Sequence, residues 1–165
     1  MPIAPGQQLP PKDGGTDELI TQLDPASRKV AGWPRTLLLC SAIHSGVWGV
    51  FIMAMPELAA RTYGFARPPR DIHLWQGSGL FITLLAIGYL LACRDPIRHY
   101  GVVLIGLLAK TFGALGMTWA VSQGQVSKNV LWLIPINDVI WWLPFALIVR
   151  NGIRAESAAD DAIQT

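Results

Sequence analysis

The sequence predicts an all-α integral membrane protein, an antiparallel four-helix bundle behind a disordered N-terminal extension. Three observations predict it. Of 165 residues only 15% are charged and 52% are hydrophobic, where an average soluble domain carries roughly 25% charged residues. The mean hydropathy is +0.38. The apolar residues are gathered into four blocks, each close to the ~20 residues a helix needs to cross about 30 Å of hydrocarbon. Backbone groups in a bilayer must bond internally, so each block reads as a helix. The blocks do not alternate and are about twice the length of a barrel strand.

Residues 1–33 form a separate segment, read as a flexible cytoplasmic extension. Pro2, Pro5, Gly6, Pro10, Pro11, Gly14 and Gly15 punctuate its first half, and it has too little apolar surface to fold alone. A short helix over Thr16–Leu23 is expected, with Thr16 as N-cap and Asp17 and Glu18 in the first turn. The transmembrane domain covers 34–150. Span one, about 36–55, has no Asp, Glu, Lys or Arg and one titratable polar side chain, His44. It starts too late and runs too long for the apolar core of a signal peptide, and reads as a mature span. The connection from Pro56 to Leu74 is the longest. Pro56 suits a first helical position and Gly64 a C′ position, so a short surface helix is expected between them, presenting Leu58, Ala59 and Tyr63. Arg67-Pro68-Pro69-Arg70 then makes a stiff turn. Span two is about 75–93, span three about 100–121 with Lys110, and span four about 129–149 with Asp138. The cytoplasmic tail, 151–165, is polar and expected to fray.

Four spans put both termini on one side. That side carries seven loop cations, Arg28, Lys29, Arg35, Arg94, Arg98, Arg150 and Arg154, against four on the other, Arg61, Arg67, Arg70 and Lys128. The positive-inside rule then makes both termini cytoplasmic, in an inner (plasma) membrane.

Composition also excludes classes of function. The net charge is +2 and no dense basic patch occurs, so nucleic acid is not an expected partner. Cys40 and Cys93 are too few for a disulfide scaffold, and inert thiols are favoured over a redox pair. No CxxC, P-loop, HExxH or GxGxxG is present. One His within the spans gives no haem-ligand pair, and no metal site is expected.

Ionisable residues within a span are costly and need a reason. Lys110 and Asp138 lie near the middles of consecutive spans, differing in depth by about 3 Å at 1.5 Å rise per residue. An ion pair follows. Asn137 adjoins Asp138, His44 lies near the same level, and Gln76, Ser78 and Thr83 add polar atoms on span two. Two readings stand: a register-fixing pair, or a proton or substrate site. Pro135 and Pro144 flank Asn137-Asp138 and Trp141-Trp142, and each frees a carbonyl one turn earlier. Trp33, Trp75, Trp119 and Trp132 suit interfacial belts. Trp48, Trp141 and Trp142 lie deeper, where they fill the core or stack on a ring-shaped ligand such as a quinone. The glycines of the first three spans suit close helix contacts.

Trp75-Gln76-Gly77, Gly88-Tyr89-Leu90, Arg94-Asp95-Pro96-Ile97-Arg98-His99, Gly106-Leu107-Leu108-Ala109-Lys110 and Asn137-Asp138-Val139-Ile140-Trp141-Trp142-Leu143-Pro144-Phe145 together resemble a group of small bacterial four-helix membrane proteins, distantly similar to the DoxX-like superfamily. The likeness covers about Thr36 to Val149. It departs at Ala109, where relatives often have Gly, and at Gly113-Ala114, where they often have Gly-Pro. The resemblance implies a four-helix bundle associated with membrane redox systems. The absence of a catalytic motif and the short loops favour, first, a non-enzymatic accessory or scaffold subunit of a membrane complex, or a homodimer, with no resident cofactor. The alternatives are a quinone- or lipid-binding redox subunit and a proton-coupled small-solute carrier acting as a dimer. The site expected in either alternative comprises Lys110, Asp138, Asn137, His44, Trp141, Trp142 and Gln76.

Overall fold

A computed structural model describes residues 32–164, and among them there is no strand. The extension's expected helix, Thr16–Leu23, lies outside the described residues. Helix α1 is Gly32–Ala54, α2 Pro56–Thr62, α3 Ile72–Ala92 and α4 Tyr100–Ser122. A 3-10 turn, Lys128–Trp132, and a π turn, Pro135–Val139, lead into α5, Ile140–Gln164. Four helical stretches are long and apolar enough to cross a membrane by length and composition: α1, α3, α4 and the run Lys128–Ile163.

Local chemistry sets the ends of these elements. Pro56 occupies the first turn of α2, where its missing N–H costs nothing. Gly64 follows with φ of 78°, a left-handed conformation that a Cβ disfavours. Its N–H donates to the Arg61 carbonyl at 2.9 Å and the Phe65 N–H to Ala60 at 3.1 Å, the paired bonds of a Schellman motif. The same device closes α4. Gly124 has φ of 70°, and the N–H groups of Gly124 and Gln125 reach the carbonyls of Val121 and Ala120, each at 3.0 Å. The Ser127 N–H donates to the Gly64 carbonyl at 3.1 Å, which ties the two connections together.

Packing joins the helices in two pairs. Gly49 of α1 lies against Gly79 and Thr83 of α3, and Gly46 faces Ala86. Farther along, the Gln76 amide donates to the Met53 carbonyl at 2.9 Å and the Trp75 indole to Pro56 at 3.0 Å. Glycine lets the two backbones meet, and backbone-close packing multiplies dispersion contacts. Helices α4 and α5 form the second pair. The pairs meet in a core of Leu38, Tyr89, Val103, Phe145 and Ile148. A second core, of Ile52, Tyr63, Val126, Val130 and Leu133, lies at the α2 end.

Large apolar side chains face outward instead. Leu39, Ile43, Val47 and Val50 make an exposed stripe on α1, and Leu80, Leu84, Ile87 and Leu91 make one on α3. On α4 the stripe is Ile105, Leu108, Phe112, Leu115 and Trp119. Such continuous exposed apolar stripes are not the surface of a water-soluble bundle.

Two expectations are corrected. The segment after Asn151 is not frayed, because α5 continues to Gln164. The Tyr100 ring sits directly over Gly152 and its hydroxyl donates to Glu156, so the start of α4 anchors the tail. Span four is also not one α-helix from Asn129. Pro135 has no N–H to continue a helix, and the Ile140 N–H reaches five residues back to the Pro135 carbonyl, the π spacing that inserts an extra residue into a turn.

Candidate functional site

A cavity of about 310 Å³ lies between the two cores, at the lower end of the ~300–1,000 Å³ typical of small-molecule sites. Helical periodicity decides what lines it. Trp75, Ser78, Phe81, Ile82 and Leu85 recur on one face of α3, Ala109, Lys110, Gly113 and Met117 on one face of α4, and Ser45 and Ile52 on α1. Asn137 and Asp138 enter from the π turn. The wall is apolar except for this small polar end.

That end is built around a buried ion pair. Lys110 and Asp138 are 8% and 9% exposed, with Nζ 3.7 Å from Oδ1. This is longer than a hydrogen bond. The close partner of the ammonium is the Asn137 backbone carbonyl, which accepts from Nζ at 2.6 Å. The widened π turn presents that carbonyl sideways to α4. The Asn137 side-chain amide lies 3.3 Å from each Asp138 oxygen. Asn137 thus binds both ions, the cation through its backbone and the anion through its side chain. Ser45, 2% exposed, has a hydroxyl oxygen with no hydrogen-bond partner.

An aromatic cluster closes the α2 end. Tyr63 meets Trp48 at 5.6 Å and Trp75 at 5.4 Å between ring centroids, and Phe65 meets Trp75 at 5.6 Å. All three contacts are edge to face, the favoured geometry of aromatic pairs. Burial, with a smaller contribution from the Asp138 charge, pushes the Tyr63 phenol up to about 12. The folded protein therefore holds this proton more tightly than the unfolded chain, whose tyrosines titrate near 10. The resulting stability is complete below pH ~10 and is lost as pH rises toward 12. Alkaline titration by tyrosinate absorbance should show a component near pH 12 that Tyr63→Phe removes. The variant should also lose less stability than the parent between pH 10 and 12.

Of the residues expected to form the site, Lys110, Asn137 and Asp138 meet at the cavity wall. The other four do not line it. Gln76 faces α1, because it stands about 100° around the helix from Trp75. His44 stands the same step from Ser45, with its ring 5.5 Å from that of Trp141 and its Nδ1 without a partner. Trp141 belongs to the first core, 6.0 Å from Phe145. Trp142 is half-buried, with its indole N–H unpartnered. The rings offered to the cavity are Tyr63, Phe81 and Trp75, the last expected only as an interfacial residue. Sequence reasoning also passed over Ser45, whose spacing Ser41, Ser45, Gly49, Ile52 marks one face of α1.

Cys40 is exposed and Cys93 half-buried, both free, with the Cys93 thiol donating to the Leu90 carbonyl. Among the described residues no group of three His, Cys, Asp or Glu side chains is placed to hold a metal ion. Comparison with protein-family models, with curated proteins and with solved structures finds no match to this chain.

Proposed function

We infer that this small multi-pass membrane protein binds a lipid-soluble molecule of the quinone class in its interhelical cavity and serves a membrane redox assembly as a ligand-holding subunit. The observation that carries the reading is the cavity itself, apolar along its length with one buried polar end at Lys110, Asn137 and Asp138. The outward stripes of large apolar residues support a bilayer around it. The antiparallel arrangement is supported by contacts that run in opposite senses, Gly46 with Ala86, then Gly49 with Gly79, then Met53 with Gln76. The loop cations favour cytoplasmic termini in the inner membrane, and the motif resemblance favours the DoxX-like group.

Native mass spectrometry of the protein gently extracted from its own membrane tests the reading. We expect a retained mass that is absent from the Lys110→Met/Asp138→Leu double variant. Titration with decyl-benzoquinone and, separately, monooleoylglycerol then separates two sources of similar chemistry, a quinone and a neutral glyceride. Saturable binding of the quinone is the expected result. An empty protein that binds neither probe overturns the reading and leaves the pair a purely structural role.

A further inference from the structure

The cavity is shut on most sides. Toward α1 the backbones are in contact: a Cβ on Gly49 would lie 2.7 Å from the Gly79 carbonyl oxygen. The aromatic cluster around Tyr63 closes the α2 end. The first core closes the other end, where Tyr89 packs directly on Gly106. The Lys110–Asn137 bond seals α4 against the π turn.

The gap between α3 and α4 is different. These helices meet near one end, at Gly88 with Val102 and Tyr89 with Gly106, and the cavity lies between them farther along. Two of its lining residues also face outward there: Phe81, 53% exposed, and Gly113. The surface around them carries Leu80, Leu84 and Phe112, all large, apolar and exposed. The mouth therefore gives onto the face that hydrocarbon would cover.

We propose that the occupant enters and leaves sideways through the α3–α4 gap, directly from the bilayer, with Phe81 and Gly113 as the edges of the mouth and a neutral hydrogen-bond-accepting head leading to Lys110 and Ser45. This rests on the reading of the cavity as a ligand site. The head is neutral because Lys110 and Asp138 already balance, and a net charge would enter uncompensated. It accepts hydrogen bonds because the Ser45 hydroxyl is buried without a partner. The Lys110 ammonium, with three donors, uses only one on Asn137. A carbonyl or hydroxyl on an apolar body meets both demands. Gly113 leaves the mouth wide, since a Cβ there would meet nothing nearer than Asp138 Oδ1 at 4.0 Å.

The full chain in lipid nanodiscs, with decyl-benzoquinone as probe, tests this by stopped-flow binding. An edge of a portal changes passage rather than affinity. Gly113→Ala, whose Cβ would stop 4.0 Å short of Asp138 Oδ1, should slow association and dissociation together, each about threefold, with Kd altered less than the rates. Phe81→Ala should speed both, and Val47→Ala, on the outward stripe of α1 and away from the mouth, should change neither. With the unaltered protein, doubling the lipid at fixed total probe should halve the association rate, because the probe's concentration in the bilayer sets the encounter. Association that ignores lipid dilution, or mouth variants that move Kd alone, overturns sideways entry and leaves the ligand site standing. No saturable binding by the unaltered protein overturns the site and the route together.

Discussion

Asp138→Leu should destabilise the protein by about 3–5 kcal/mol, the range for removing one partner of a buried ion pair. The substitution leaves the Lys110 ammonium 8% exposed, facing an apolar wall, with the Asn137 carbonyl as its remaining partner. Asn137 suffers as well, because its amide loses the carboxylate oxygens 3.3 Å away. Lys110→Met together with Asp138→Leu should recover most of the loss, as two apolar side chains of similar size need no compensation. Denaturant titration of the parent, both single variants and the double closes the cycle. A coupling energy near zero would mean that the 3.7 Å approach contributes nothing and that each ion is held by Asn137 alone.

Gly49→Val should be comparably severe for a different reason. A Cβ at Gly49 would sit 2.7 Å from the Gly79 carbonyl oxygen and 2.8 Å from the Thr83 nitrogen. Both are backbone atoms, so no side-chain rotation relieves the clash and the helices must separate. Overpacking costs about 1–3 kcal/mol and occasionally more. Here the Gln76–Met53 bond and the glycine contacts would loosen with it, so the upper end is expected. Gly77→Ala is the control. A Cβ there meets nothing within 4 Å, and alanine's helix preference should make it neutral or stabilising by up to about 1 kcal/mol. Equal losses at the two positions would refute close packing as the link between α1 and α3.

What the sequence disclosed depends on which physical signal each feature leaves. Helix count and the Lys110–Asp138 meeting follow from length and rise per residue, and both were legible. Gly64 as the end of α2 was legible from its chemistry. Rotation was not. A helix apolar all round has no polar face to fix its phase, so nothing in the sequence separates Gln76 from Trp75 and Ser78, which line the cavity. His44 and Ser45 differ by the same single step. The π turn was half legible: Pro135 announced a break, but the extra residue that turns the Asn137 carbonyl toward Lys110 leaves no compositional mark. The extended α5 has no apolar signature beyond Val149. Its support is the tertiary contact of Tyr100 with Gly152 and Glu156.

The paired construction has a mechanical consequence. Helices α1 and α3 are fused by backbone contact, and α4 and α5 are pinned at both Lys110–Asn137 and Tyr100–Glu156. The joint between the pairs is side-chain packing in the two cores, around Tyr89 and Phe145 and where Ile52 and Tyr63 meet Val126 and Val130. The softest deformation of the molecule is therefore a parting of two stiff halves between those cores. Such a motion changes the width of the cavity and spares the hydrogen bonds named above except the one from Ser127 to Gly64, which bridges the halves. Squeezing from the surrounding lipid acts on the same coordinate: an empty cavity yields to it, and a filled one props the halves apart.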